Sequence, residues 1–312
     1  MKECPICRSR DEKRFMAKVC LVVDAEHDLL ECGDCGGMYF DPLPAIEHLS
    51  RFYSGSYYSF SRWHDEGKGA VYAKRLNRLK PEGNFLDVGC ATGFFIHGIK
   101  RNSRWNVYGV EFGGDAIRFA RDELGLEVTE GCLLDAGFPD EFFDYIHINN
   151  VLEHVLDPVE LLQECRRIIK PDGYLFLSVP NGYNDSRSMI EYYRIEKRPA
   201  RSINGHIFFF PRRTMISLIE KSKFFIEKKR TGSIKRGLRN IGILPRKKNW
   251  KSNHECKESQ LAEMRSGITI ESDKKYPDFY YRYRYIRSSM NNIPGLYDFG
   301  LDYLFLLRPM SR

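Results

Sequence analysis

The run Phe85-Leu86-Asp87-Val88-Gly89-Cys90-Ala91-Thr92-Gly93-Phe94-Phe95 constrains this chain more than any other stretch. A short apolar strand, a turn framed by Gly89 and Gly93 and the start of a helix bring bare backbone N–H groups and a helix N-terminus to one point, where a ligand can be held. A dinucleotide turn requires the pattern G-x-G-x-x-G; here Ala91 takes the second glycine position and bulky Phe94 the third, which argues against a pyrophosphate packed close to the helix. Asp87 ends the strand ahead of Gly89. The next strand, Val107 to Val110, ends in Glu111, a carboxylate suited to accept hydrogen bonds from ribose hydroxyls.

Strand and helix patterns alternate around this turn as a doubly wound sheet demands. A helix is predicted from about Lys68 to Leu79, stopped by Pro81 and Gly83, and another opens at Asp115 with Ala116, Phe119, Ala120 and Leu124 on one face. Asp157-Pro158 reads as an N-cap and first turn, and the helix it opens runs to the breaker Lys170-Pro171-Asp172-Gly173. Strands at Tyr145 to Ile148 and Tyr174 to Val179 flank it. A later helix, Pro211 to Lys221, feeds a strand at Phe224 to Lys228, and Tyr303 to Leu307 reads as the final strand.

Taken in order, Leu86-Asp87-Val88-Gly89-Cys90-Ala91-Thr92-Gly93, Tyr108-Gly109-Val110-Glu111, Phe138 to Asp144, Val151-Leu152-Glu153-His154-Val155 and Leu175 to Asn181 resemble the class I S-adenosylmethionine-dependent methyltransferases. The resemblance covers most of the chain from about Pro81 onward. It implies an α/β, Rossmann-like, seven-stranded doubly wound sheet whose last strand is antiparallel. It also implies a cofactor site at Asp87, Gly89, Cys90, Ala91, Gly93, Glu111, Phe112, Leu133 and Asn149. His154 is the candidate catalytic base, because imidazole titrates near working pH and follows the strand ending near the expected position of the cofactor's methyl. Two positions depart from the family pattern. Cys132 stands where the family often carries an adenine-binding Asp, with Asp135 as a shifted substitute. Asn150 stands where ubiquinone-pathway relatives carry a Glu that helps hold a divalent ion, so that metal site is not carried over.

Four of the nine cysteines form the pairs Cys4-x-x-Cys7 and Cys32-x-x-Cys35. A C-x-x-C turn sets two thiolates at the separation a tetrahedral ion needs, and two such turns close a structural zinc site. So few apolar side chains within this stretch would scarcely fold without a metal. Cys20 lies inside an apolar run and reads as buried rather than as a ligand. The expectation is a zinc ribbon with Zn2+ held by Cys4, Cys7, Cys32 and Cys35, continuing into a Tyr-rich connector, Phe52 to Phe60. The order of ribbon, Asp41-Pro42-Leu43-Pro44 and Tyr-rich segment is similar to bacterial methyltransferases of sugar and surface-polysaccharide pathways.

Charge separates the function classes. Residues 1–60 carry 7 Lys and Arg against 10 Asp and Glu, a poor surface for nucleic-acid phosphates. Residues 221–258 carry 13 against 3, and with Tyr280-Tyr281-Arg282-Tyr283-Arg284-Tyr285 they favour a phosphate-bearing ligand or membrane headgroups. No apolar run reaches the roughly 18–20 residues of a membrane span, and the N-terminus carries no apolar signal region, so the expected location is cytoplasmic. The domains expected are a ribbon module with its connector at 1–60, a cofactor-binding core at 61–231, a basic insertion, helical or partly disordered, at 232–296 and a closing strand at 297–312. The expected function is methyl transfer from S-adenosylmethionine to oxygen on a small molecule or saccharide, nucleotide- or lipid-linked. The alternatives are an RNA methyltransferase and a cofactor-binding protein without catalysis.

Overall fold

Strands at the centre of a doubly wound sheet are covered on both faces, and Asn84–Val88 (β4) and Phe143–Asn149 (β7) are buried almost throughout. They lie at the centre of a seven-stranded sheet. The computed structural model describes residues 3–21, 25–49, 58–60, 62–202, 204–240, 243–245, 268–270 and 300–311. In chain order the elements are β1 Lys13–Cys20, β2 Glu26–Cys32 and β3 Met38–Asp41, then α1 Arg62–Leu79, β4, α2 Phe94–Asn102, β5 Asn106–Glu111, α3 Gly114–Asp122, β6 Glu127–Glu130 and β7. There follow α4 Pro158–Ile168, β8 Ile169–Pro180, α5 Gly182–Glu196, β9 Ala200–Arg201, β10 Phe208–Phe209, α6 Arg212–Lys221, β11 Phe224–Gly232, α7 Ile234–Asn240 and β12 Asp302–Pro309. A short parallel pair, Tyr58–Phe60 with Ile268–Ile270, stands apart.

The large sheet has the order β11-β12-β8-β7-β4-β5-β6. Strands β8, β7, β4, β5 and β6 pair in parallel, whereas β12 runs antiparallel to both neighbours. Helix α1 starts at Arg62, six residues before the predicted Lys68, because Arg62 pairs with Glu66 and His97 Nδ1 reaches the same carboxylate at 2.8 Å. Its backbone lies directly on α2. A Cβ added at Gly69 would sit 2.1 Å from the Phe95 carbonyl oxygen, and one at Gly98 would sit 2.3 Å from that of Glu66. Asp157 caps α4 as predicted, accepting from the N–H groups of Val159 and Glu160 at 3.0 Å.

A second sheet has the order β9-β1-β2-β3-β10. Its first three strands come from the expected ribbon; the other two come from the chain after α5. Parallel pairing of β9 with β1 and antiparallel pairing of β10 with β3 therefore join the 1–60 region to the rest. The hydrophobic core is continuous across that junction, since Val19, Leu29 and Phe40 share a cluster with Ile146 and Leu175. Residues 51–57 of the Tyr-rich connector, and the basic and Tyr/Arg stretches at 246–258 and 280–285, lie outside the described residues.

Asp144 ties several strand ends together. Its buried carboxylate accepts from Lys170 Nζ at 2.7 Å, Lys80 Nζ at 2.8 Å and the Asn84 N–H at 2.9 Å. Burial pushes its pKa up, but the lysines and the N–H outweigh burial and hold it below the usual carboxylate range. A carboxylate with a depressed folded pKa adds stability above its unfolded value, about pH 4, and loses it as pH falls through the folded value. Asp144→Asn should therefore cost about 2–4 kcal/mol at neutral pH, below the full cost of a broken buried pair because both lysines are about one-third exposed. Urea unfolding at several pH values should also show a shallower loss below about pH 4 in the variant. Equal stability of the two proteins at pH 7 would contradict this role.

Candidate functional site

The glycine-bearing turn follows β4 and is folded by left-handed backbone at Gly89 (φ 74°), Ala91 (φ 50°) and Gly93 (φ 77°). A side chain at either glycine would be strained by the left-handed backbone and would displace a neighbouring side chain. A Cβ at Gly89 would meet Val151 Cγ2 at 2.6 Å, and one at Gly93 would meet Leu126 Cδ1 at 2.5 Å. Ala91 holds a conformation uncommon outside glycine, and its N–H donates to Glu111 Oε2 at 2.8 Å. Glu111 Oε1 accepts from the N–H groups of Phe112 at 2.8 Å and Gly113 at 2.9 Å. The carboxylate at the end of β5 is thus fixed by backbone from two loops.

Cavities open on either side of this turn, and Gly89 and Ala91 line both. The first, about 550 Å³, is walled by α1 through His64, Lys68, Tyr72 and Arg75, and by Asp87, Cys90, His147 and Asn149 at the strand ends. The second, about 740 Å³, is lined by Glu111, Phe112, Cys132, Leu133, Asn150 and His154, with Ile46 and Leu49 from the chain after β3. Exposed apolar side chains, among them Phe112 and Leu134, rim the second cavity. Gly93 lines neither cavity and serves the turn itself. Asp135 is exposed on a 3-10 turn and also lines neither.

Asp87 behaves differently from a solvated cofactor ligand. It is buried and accepts from His147 Nδ1 at 2.7 Å, the residue directly opposite it in the β4–β7 register. Burial raises its pKa, and the His147 contact opposes that rise. Rings of Phe95 and Phe176 pack against His147, at centroid distances of 4.8 and 4.9 Å. His147 had no place in the sequence reading. The signal was the strand's period of two, which sets Tyr145, His147 and Asn149 on one face, combined with the pairing to Asp87. The Cys90 side chain is buried, its Sγ 2.5 Å from where a Cβ on Gly109 would stand, so only its backbone is suited to contact a ligand. His154 lines the larger cavity with Nδ1 donating to the Gly205 carbonyl at 3.2 Å. Burial, and then the neighbouring His206, push its pKa down to about 3, so the ring is neutral and a weak proton acceptor.

The four cysteines meet at the end of the second sheet. Cys4 and Cys35 Sγ atoms are 3.9 Å apart and those of Cys7 and Cys32 3.8 Å. Thiolates about 2.3 Å from a tetrahedral ion would stand about 3.8 Å from one another, so the donor set fits zinc. The hydrogen bond from Cys35 pushes the Cys4 thiol down to about 5. Helix α6 supports the second knuckle, with Arg213 Nε and Thr214 Oγ1 donating to the Cys35 carbonyl at 3.0 and 2.8 Å. Cys20 is buried, as expected.

A family model described as a methyltransferase domain matches residues 62–228, more than half of the chain. The chain is 28% identical over 124 residues to the uncharacterized protein MJ1123 of Methanocaldococcus jannaschii, covering 38% of this chain and 57% of that protein. It is 32% identical over 142 residues to the ubiquinone biosynthesis O-methyltransferase of Pectobacterium atrosepticum, covering 39% and 57% respectively. The match thus spans little more than half the length of these curated relatives. Among solved structures, an S-adenosylmethionine dependent methyltransferase from Mesorhizobium loti superposes with a TM-score of 0.46 at 14% identity, covering 76% of this chain and 96% of that one.

Proposed function

The chain belongs to the methyltransferase-domain family, and from that premise we propose that it transfers a methyl group from S-adenosylmethionine to a small-molecule acceptor. The observation that carries this reading is the carboxylate of Glu111, immobilised by backbone N–H groups beside a left-handed turn that two cavities share. Glu111 would hold the ribose, Leu133 and Phe112 the adenine face, and the turn at Gly89 to Ala91 with Asp87 and Asn149 the amino-acid end. When bound, the cofactor supplies an electrophilic methyl on a sulfonium. The protein's share is alignment and exclusion of water, for which the apolar walls of the larger cavity are suited.

Glu111→Ala tests this directly. Loss of charge-assisted hydrogen bonds worth about 1.5–3 kcal/mol should weaken cofactor binding by about ten- to a hundredfold in a calorimetric titration. An unchanged Kd would overturn the assignment.

We infer that the acceptor carries a hydroxyl. Curated relatives named as O-methyltransferases support that reading. The saccharide and phosphate features proposed for the acceptor rest on the Tyr-rich and basic stretches of the sequence. His154 borders the acceptor's side of the cavity, and its depressed pKa suits it to positioning more than to proton abstraction. We also propose structural Zn2+ at Cys4, Cys7, Cys32 and Cys35, supported by the sulfur separations above. Among the described residues no helix is long and apolar enough to cross a membrane.

A further inference from the structure

Two carboxylates stand close to the ends of β4 and β5, and they are held in different ways. Glu111 is fixed by three backbone N–H groups. Asp87, 5% exposed, has one hydrogen-bond partner among the described residues, Nδ1 of His147 at 2.7 Å. A carboxylate offers about four lone pairs, so a buried one that receives a single donor is under-satisfied. Burial raises its pKa, His147 opposes the rise, and the charge of Glu111 adds to it.

The register of the sheet makes the pair. Asp87 on β4 lies opposite His147 on β7, and His147 lies opposite Phe176 on β8, so the three side chains form one row on the face where Tyr72 of α1 packs. Rings on three sides fix the imidazole: Phe95 at 4.8 Å, Phe176 at 4.9 Å and Tyr72, edge-on, at 5.5 Å. All five residues line the smaller cavity. An ionised carboxylate only accepts, so Nδ1 carries the hydrogen and Nε2 decides the charge of the ring. The pair is net negative with a neutral ring and net neutral with an imidazolium.

Other charged groups face the same cavity from α1, namely His64, Asp65, Lys68 and Arg75. Lys68 pairs with Asp65 at 2.7 Å, and the Arg75 guanidinium lies 5.6 Å from the centroid of the Tyr72 ring. None of them is a hydrogen-bond partner of Asp87 among the described residues.

We propose that His147 is a positioning residue for the cofactor: its Nδ1 holds one oxygen of Asp87 and leaves the other for the ammonium of the cofactor's amino-acid end, and the arriving ammonium displaces the proton on His147 Nε2 to solvent. The inference rests on the methyl-transfer reading, which sets that end of the cofactor at Asp87. One buried negative charge cannot satisfy two cations equally. With an imidazolium beside it, Asp87 is already neutralised, and an ammonium meets a net-neutral pair and a like charge. A ligand whose binding releases a proton binds more tightly as pH rises, here within the range where imidazole titrates.

Calorimetric titration of the full chain with S-adenosylhomocysteine and with 5′-methylthioadenosine tests this, because the second ligand keeps the thioether and adenosine but lacks the amino-acid end. From about pH 7.5 to about pH 5.5, wild-type affinity for S-adenosylhomocysteine should fall about tenfold while that for methylthioadenosine stays level. His147→Leu removes the donor to Asp87 and should weaken S-adenosylhomocysteine at neutral pH by about ten- to a hundredfold, with methylthioadenosine unaffected. His147→Asn restores an N–H near the Nδ1 position without a titrating ring, so it should recover most of that loss and show no pH dependence. His64, the other imidazole on this cavity, is present in both variants. Methylthioadenosine binding by His147→Leu shows that the variant is folded; if it unfolds, the pH profile of His147→Asn decides. A ratio of the two affinities that does not move with pH in the wild type, or that keeps its pH dependence in His147→Asn, would overturn the inference. Wild-type protein that binds neither ligand would overturn the methyl-transfer reading and this inference together.

Discussion

Cys32→Ser should release the proposed zinc and lower the melting temperature by about 10 °C or more, the largest effect expected of any single change in this protein. Zinc binding to such sites contributes roughly 10–16 kcal/mol in isolated fingers, and much of that free energy is folding free energy. Losing about 6–7 kcal/mol of it would displace the transition of a 312-residue chain by about 10 °C. Were residues 1–60 a module of their own, as the sequence suggests, unfolding them would spare the rest. The structure says otherwise. Strand β3 carries β10, Arg213 and Thr214 hold the Cys35 carbonyl, and Ile46 and Leu49 line the larger cavity. Cofactor affinity should therefore fall together with zinc content. Elemental analysis, calorimetry and cofactor titration on wild type and variant check this; full zinc retention by the variant, or a zinc-free wild type, would refute it.

Gly98→Val should be the second most damaging change. Alanine in place of glycine within a helix ordinarily gains about 1 kcal/mol, and valine somewhat less. Here a Cβ would lie 2.3 Å from the Glu66 carbonyl oxygen, a backbone atom that moves only if α1 moves. Overpacking of this kind costs about 1–3 kcal/mol and more where backbone must shift, so the clash outweighs the propensity gain. Because α1 supplies His64, Lys68, Tyr72 and Arg75 to the smaller cavity, the variant should also bind S-adenosylmethionine more weakly. Chemical denaturation and cofactor titration would show both losses; a variant of wild-type stability would mean the helices can separate at no cost.

The parts of this protein legible from sequence share a local signal. The turn at Gly89, the carboxylate closing β5, the Asp157 cap and the cysteine spacings each depend on residues within one short stretch. What escaped was written across the chain. Helix α5 buries Gly182, Asn184, Ser186, Met189 and Tyr192, a face so poor in large apolar residues that hydrophobic periodicity does not mark it. Strands β9 and β10 are two residues each and acquire meaning only by pairing with β1 and β3. The His147–Asp87 contact and the approach of His206 to Glu153 join residues about 50 to 60 positions apart. Burial also changed one role that sequence could suggest, since His154 reads as a base only while its ring is imagined in water.

Strands β11 and β12 make up one antiparallel ladder, and its two ends are held at close quarters: the Leu301 N–H donates to the Gly232 carbonyl at 2.8 Å, and Asp302 stands opposite Gly232. In outline this is a hairpin whose two strands are joined by a connection of about 70 residues, α7 among them. Loop-closure entropy rises only logarithmically, about 0.6 kcal/mol for each doubling of length, so the ladder itself sets little limit on the length of the connection. A change in the length of that connection would therefore leave the register of the β11–β12 ladder, and of the sheet it closes, almost untouched.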